Sequence, residues 1–169
     1  ADIFFRKRYG HRAVVLETIA GVPGMVGGMW RFVCSVNRGY NDPVIMELLE
    51  EADNERMHLM TFMEVAEPNF FERMIILLTQ IIFWIFYLFL YVFFRKLSHR
   101  MIGYFEEEAV ISYTQYLEEI DSGRIENTKA PQIAIDYWNL PPEASLRDVV
   151  IAVRLDEIQH SVKNHLLAE

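Results

Sequence analysis

Residues 74–94, MIILLTQIIFWIFYLFLYVFF, form an uncharged run in which only Thr79 and Gln80 are clearly polar. As a helix rising ~1.5 Å per residue the run would reach about 31 Å, the thickness of a bilayer's hydrocarbon core. Arg73 precedes it, and Arg95, Lys96, His99 and Arg100 follow, as suits cationic side chains near lipid headgroups. A stripe of Arg73, Gln80, Trp84, Tyr87, Tyr91 and Arg95 recurs at helical spacing along it. One side of this helix is therefore less apolar than the rest.

Elsewhere apolar residues recur at three and four, and strand alternation is nowhere sustained, so the chain of 169 residues reads as a single all-α domain, 1–169. The first helix is expected from about Arg8 into the thirties, bent at Pro23, with Gly21, Gly24 and Gly28 on a side where another backbone can approach. The second is expected to be capped by Asn41 or Asp42, with Pro43 at its first position, and to stop before Pro68. The third contains the apolar run. Ser98 is expected to cap a fourth ending near Gly123, a short piece follows around residues 136–140, and a capping box of Ser145 and Asp148 opens the last helix. The start at Ala1 rather than Met suggests a processed or trimmed chain, and no signal peptide is visible.

A net charge of −8, from 16 basic against 24 acidic residues, argues against a nucleic-acid partner, whose phosphates need a basic face. The single cysteine, Cys34, excludes an intrachain disulfide and a CxxC metal knuckle. Any metal must then be held by His, Asp or Glu.

Two segments carry the same pattern: Glu55 with His58 in NERMHL, and Glu157 with His160 in RLDEIQH. Residues three apart share a helix face, so each pair can grip one ion. One E-x-x-H is common on solvated helices, and even two leave that bland reading open. Glu17, in AVVLETIAGV, has no other charge within four residues, and a buried carboxylate must be neutral, paired or metal-bound. In FEEEAVISYT, Glu106 shares its face with Ile102, Gly103, Ala109, Val110 and Tyr113, whereas Glu107 and Glu108 look toward polar neighbours. Glu106 is therefore placed inward. Four Glu and two His from four helices are the ligand set of carboxylate-bridged di-iron bundles. Two divalent ions would neutralise four carboxylates, and oxygen and imidazole donors suit iron or manganese, with iron favoured for dioxygen chemistry.

This ligand set bears on the membrane. His58 precedes the apolar run and Glu106 follows it, with no second long apolar stretch between them. A single crossing would put the ligands on opposite sides, so the run is expected to lie in one leaflet as a monotopic anchor.

LETIAGVPGMVGGM, NERMHLMTFMEVA, FEEEAVISYT and LRDVVIAVRLDE together resemble the signature segments of the alternative oxidase family, the cyanide-insensitive ubiquinol oxidases. The likeness runs from DIFFRKRYG to KNHLLAE, and the plastid terminal oxidases fit less well at PGMVGG and NERMH. The resemblance implies a ferritin-like four-helix bundle with an in-plane membrane-anchoring helix and a di-iron centre. It implies oxidation of ubiquinol with reduction of O2 to water, without proton pumping, by a homodimer on one leaflet. The location implied is the matrix-facing leaflet of the mitochondrial inner membrane, with a bacterial cytoplasmic membrane as the alternative. The glycine-lined first helix offers a contact surface for the dimer.

Carried over by position, the resemblance gives Glu17, Glu55, His58, Glu106, Glu157 and His160 as metal ligands and Tyr113 as a redox-active tyrosine, for which an ordinary core tyrosine is the alternative. It implies a quinol pocket of Arg12, Leu16, Phe105, Glu108, Ala109 and Ser112, where Arg12 and Glu108 could equally be solvated or ion-paired. Asn54, Trp138 and Asp156 would hydrogen-bond around the ligands, a role only the resemblance selects. Phe105 replaces the family's usual Leu, Leu155 and Ile158 add bulk around Glu157, and His11 stands where plant members commonly have Cys. The last departure puts thiol-based control in doubt. The competing readings are a ferritin-like iron-binding or ferroxidase protein and a metal-free membrane-associated bundle.

Overall fold

The computed structural model describes residues 9–169. The expected bend at Pro23 is not a break: α1 (Tyr9–Arg38) runs through it. The others are α2 (Val44–Ala66), α3 (Phe70–Phe93), α4 (Arg95–Asp121), the short α5 (Gln132–Trp138) and α6 (Leu146–Leu167). Among the described residues the only β pairing is an isolated bridge of Lys129 with Ser145, which ties the α4–α5 connection to the start of α6. The expected start near Arg8 lies outside the described residues.

Local chemistry explains most boundaries. Pro43 takes the N-cap place expected of Asn41 or Asp42 and α2 begins at Val44, while Asp42 Oδ1, one residue before the cap, accepts the Val44 N–H at 3.1 Å. Glu67, left-handed at φ 45°, ends α2 ahead of Pro68. Asn69 and Glu72 form a reciprocal capping box that opens α3, and Ser145 and Asp148 do the same for α6. Ser98 is not a cap. The chain turns between α3 and α4 at Phe94 alone (φ −138°, ψ 51°), and Ser98 lies buried one turn inside α4, its hydroxyl donating to the Arg95 carbonyl. A serine bonded to the carbonyl three residues back looks the same in sequence as one capping a terminus. The short helix likewise begins at Gln132, ahead of the expected piece, and ends at Trp138, where Asn139 adopts a left-handed conformation.

α1, α2, α4 and α6 make the four-helix bundle, with α3 packed along the outside of α1. α1 and α2 cross where Gly24 faces Leu48 and Ala52. A Cβ on Gly24 would lie 2.4 Å from the Leu48 carbonyl oxygen and 2.9 Å from Ala52 Cβ, so only glycine permits this approach. Gly21 and Gly28 face the same helix. The glycine-lined side of α1 is thus consumed within the chain and is not free to meet a second copy.

Two apolar packs fill the interior. Val14, Phe62, Tyr113, Tyr116, Val149, Val150 and Val153 build the larger, and Val22, Val26, Tyr87, Tyr91 and Ile102 the smaller. Each such side chain contributes roughly 1.5–3 kcal/mol on burial. Glu17 lies between Val14 and Val22 along α1, and Glu106 between Ile102 and Ala109 along α4. The carboxylates therefore fall in the layer between the two packs. The stripe on α3 divides: Gln80, Trp84, Tyr87 and Tyr91 turn inward, while Arg73 and Arg95 are exposed. The opposite face, including Ile75, Ile82, Phe89 and Phe93, stays open.

Candidate metal centre

Glu17, Glu55, His58, Glu106, Glu157 and His160 are all buried in one place. They form two overlapping groups able to hold a cation: Glu17, Glu55, His58 and Glu157, and Glu55, Glu106, Glu157 and His160. Within each, the donor atoms lie within 4.8 Å of one another. Glu55 and Glu157 belong to both groups, so each could bridge a pair of ions. Of the three consecutive acids on α4, Glu106 turns inward and Glu107 and Glu108 are exposed.

The donor set fits a metal pair on chemical grounds. Both oxygens of Glu55, both of Glu157 and Nδ1 of His160 are buried without a well-aligned hydrogen bond, meeting only each other and His58: His160 Nδ1 lies 2.6 Å from Glu55 Oε1. Two histidines shared among four buried carboxylates leave acceptor positions that a cation would satisfy, and burying them unsatisfied costs several kcal/mol. Electrostatics points the same way. Burial first, then the charges of Glu157 and Glu55, hold the Glu17 and Glu106 carboxyls well above the usual range. Burial also raises Glu55, but His58 and His160 outweigh it and hold that carboxyl well below. Burial lowers His160, yet Glu55 and its neighbours push it up to about 9. The carboxylates thus borrow positive charge from whatever proton or imidazolium is near.

His58 is oriented from outside the cluster. Its Nδ1 lies 3.2 Å from Glu17 Oε2, 3.2 Å from Glu55 Oε2 and 3.3 Å from Glu157 Oε1. Its Nε2 faces Asp156 Oδ2 at 3.2 Å, and that oxygen also accepts Trp138 Nε1–H at 2.9 Å and Asn54 Nδ2 at 3.0 Å. Trp138 stacks on the His58 ring with centroids 5.7 Å apart. Burial raises the Asp156 carboxyl, but these three donors outweigh it and hold it below its usual range. Sequence reasoning grouped Asn54, Trp138 and Asp156 only through the resemblance; the fold brings Asn54 and Trp138 onto the Asp156 oxygen that faces His58.

Tyr113 is buried and its hydroxyl donates to Glu17 Oε1. Burial, then the charges of Glu17 and Glu157, raise its phenol well above the ordinary value and keep it protonated. Beside the cluster, a cavity of about 250 Å³ is walled by Leu16, Phe105, Glu108 and Ala109 together with Glu17, Glu106 and Glu157. Four of the six expected quinol-pocket residues therefore meet there. Arg12 and Ser112 do not line this wall: Arg12 lies one turn before Leu16, near Gln115 (3.4 Å) and over the Tyr9 ring, and Ser112 is buried one turn beyond Glu108.

Sequence reasoning missed a second polar layer. Glu51 is buried; Asn164 Nδ2 donates to its Oε1 at 2.8 Å and to the His160 carbonyl at 3.1 Å. Asn164 Oδ1 meets His99 Nδ1 at 3.0 Å, and His99 Nε2 meets the Tyr91 hydroxyl at 3.3 Å. The signal was present, since Glu51 and Asn164 each stand four residues from a candidate ligand on the same helix face.

The family model described as alternative oxidase matches residues 1–169. A relative named "Ubiquinol oxidase, mitochondrial" from Batrachochytrium dendrobatidis is 55% identical over 170 residues, covering 100% of this chain and 54% of its own length. "Ubiquinol oxidase 2, mitochondrial" of Nicotiana tabacum is 56% identical over 165 residues (97% and 56%), and "Ubiquinol oxidase 1a, mitochondrial" of Arabidopsis thaliana is 54% identical over 169 (99% and 48%). The chain spans about half the length of these curated relatives. With the family match extending over every residue and more than half of the aligned positions identical in each relative, the chain belongs to the alternative oxidase family.

Proposed function

We propose that this chain is the catalytic domain, 1–169, of a ubiquinol oxidase in which two ubiquinols reduce one O2 to two waters at a di-iron centre, without proton pumping. The observation that carries the reading is the pair of overlapping buried donor groups sharing Glu55 and Glu157. Glu17, Glu55, His58, Glu106, Glu157 and His160 would hold the irons, which supply redox electrons for reducing dioxygen. Asp156 fixes the His58 ring so that Nδ1 faces inward. Tyr113, bonded to Glu17, holds a proton at its hydroxyl oxygen within the cluster. Leu16, Phe105 and Ala109 provide apolar contact for a quinol, and Glu108 offers a carboxylate to its hydroxyl. Arg12 and Ser112 would act one turn away, on the approach to that cleft.

We assign the chain to one leaflet of the mitochondrial inner membrane, facing the matrix, as a homodimer. α3 runs parallel to α1, with Gln80 against the Thr18 carbonyl and Tyr91 against Arg31. A crossing α3 would carry Glu17 to the middle of the bilayer and the exposed charges of α2, such as Asp53 and Arg56, into lipid, at several kcal/mol each. An α3 lying in the plane submerges only its open apolar face. Phe32, Val33 and Val36, exposed on α1, are apolar side chains a second copy would cover.

Oxygen uptake with a short-chain ubiquinol and with ferrous iron, each in the presence of cyanide, tests the reading. Quinol-dependent, cyanide-insensitive uptake is expected. Uptake with ferrous iron alone would transfer the protein to the ferroxidases.

A further inference from the structure

Glu17 belongs to the walls of two cavities. One is the cleft assigned above to quinol. The other, about 430 Å³, lies between α1, α2 and α3, where Gly21, Met25, Leu59, Ile81 and Trp84 surround it. We infer that this second cavity is a dioxygen site through which the gas passes from lipid to the carboxylate cluster.

The wall is mostly apolar, and most of its polar groups are engaged elsewhere, leaving the Trp84 Nε1–H and the Gln80 side-chain oxygen as its free polar atoms. Gln80 donates its amide to the Thr18 carbonyl at 3.3 Å, Arg56 is held by Asp53 at 2.8 Å, and the Glu17 carboxylate is engaged by Tyr113 and His58. Gly21, Met25, Ala52, Leu59, Ile81 and the Trp84 ring make most of the surface apolar, which suits small apolar guests such as xenon. Its mouth opens at Met25 and Ile81, 40% and 49% exposed, and Ile81 belongs to the apolar surface of α3. Dioxygen is itself apolar and dissolves better in hydrocarbon than in water, so an entrance on that surface draws on the richer source. Two entrances meeting at Glu17 from different helix pairs also let the gas arrive while quinol fills its own cleft. The chemistry of the inference rests on the ubiquinol oxidase reading; the cavity does not.

Two measurements on the purified full chain with its metal test this. Crystals pressurised with xenon should show density between α1, α2 and α3. Met25→Trp and Ile81→Trp, both at partly exposed positions where the larger ring fills the mouth without displacing core, should lose that density. They should raise KM for O2 several-fold while iron content and KM for quinol stay at wild-type values. An empty cavity under xenon, or variants that raise KM for quinol and leave KM for O2 unchanged, would overturn the inference, the second result giving the cavity to quinol. A protein inert toward quinol yet filled by xenon would sink the oxidase reading and leave the gas cavity standing. An active enzyme with no xenon bound does the reverse.

Discussion

Asp156 and His58 meet at 3.2 Å, carboxylate oxygen against Nε2, and this contact turns Nδ1 toward Glu17, Glu55 and Glu157. A neutral imidazole that donates at Nε2 must present its lone pair at Nδ1. Asp156 thereby selects the tautomer that can bind a metal. Asp156→Ala removes this selection, leaves Trp138 without an acceptor and Asn54 with only the Tyr137 hydroxyl, so metal affinity should fall by about 10–100-fold. A chelator competition titration measures it; an unchanged affinity would show that the ring is fixed by packing against Trp138 alone.

Tyr113→Phe removes one buried hydrogen bond to Glu17 and keeps the ring that packs against Phe62. Folding stability should drop by only about 1 kcal/mol, and iron content should hold. Quinol-dependent oxygen uptake should fall by roughly 10²-fold or more if the phenol moves a proton during turnover. Undiminished uptake by an iron-loaded variant would return Tyr113 to the ordinary core.

The α1–α2 crossing makes a stability prediction independent of the chemistry. Gly24→Ala places a methyl against the backbone at Leu48 and Ala52, which cannot yield without separating the helices. A loss of about 1–3 kcal/mol is expected, read from the midpoint of denaturant unfolding. Wild-type stability would mean that the crossing tolerates a wider spacing.

His99 sets a pH dependence away from the metal ligands. Burial, with Arg31 and Arg95 nearby, pushes it down to about 4 from an ordinary 6.5, although Asn164 opposes the shift. The unfolded chain takes up this proton below about 6.5 and the folded one only near 4. The stability due to the neutral ring is therefore complete above that range and is lost as pH falls through it, by roughly 3 kcal/mol in all. Unfolding measured from pH 7 to 4 in wild type and His99→Gln should differ by this slope. Parallel curves would show that His99 does not titrate between the two states.

Much of this was legible from local rules. Glu106 could be chosen over Glu107 and Glu108 because only its helical neighbours are apolar, and Ser145 with Asp148 announced α6 because a capping box is read within four residues. Asn69 and Glu72 carry the same signature and could have placed the start of α3. Features set by contacts between helices were not legible. The spacing of Glu51 and Asn164 from the ligands marks their helix faces but not that they meet across α2 and α6, and Gly24 looks free for a partner until α2 covers it. Arg12 and Ser112 share helix faces with the cleft residues, yet lie one turn beyond its wall, a distance that only the meeting of α1 and α4 decides.

Iron determination on the purified protein shows whether the two overlapping donor groups hold a metal pair. Two irons per chain are expected, with both lost together in Glu157→Ala because that carboxylate serves both donor groups. A chain that carries no iron, or a Glu157→Ala variant that retains both ions, would show that these donors do not build a shared di-iron site.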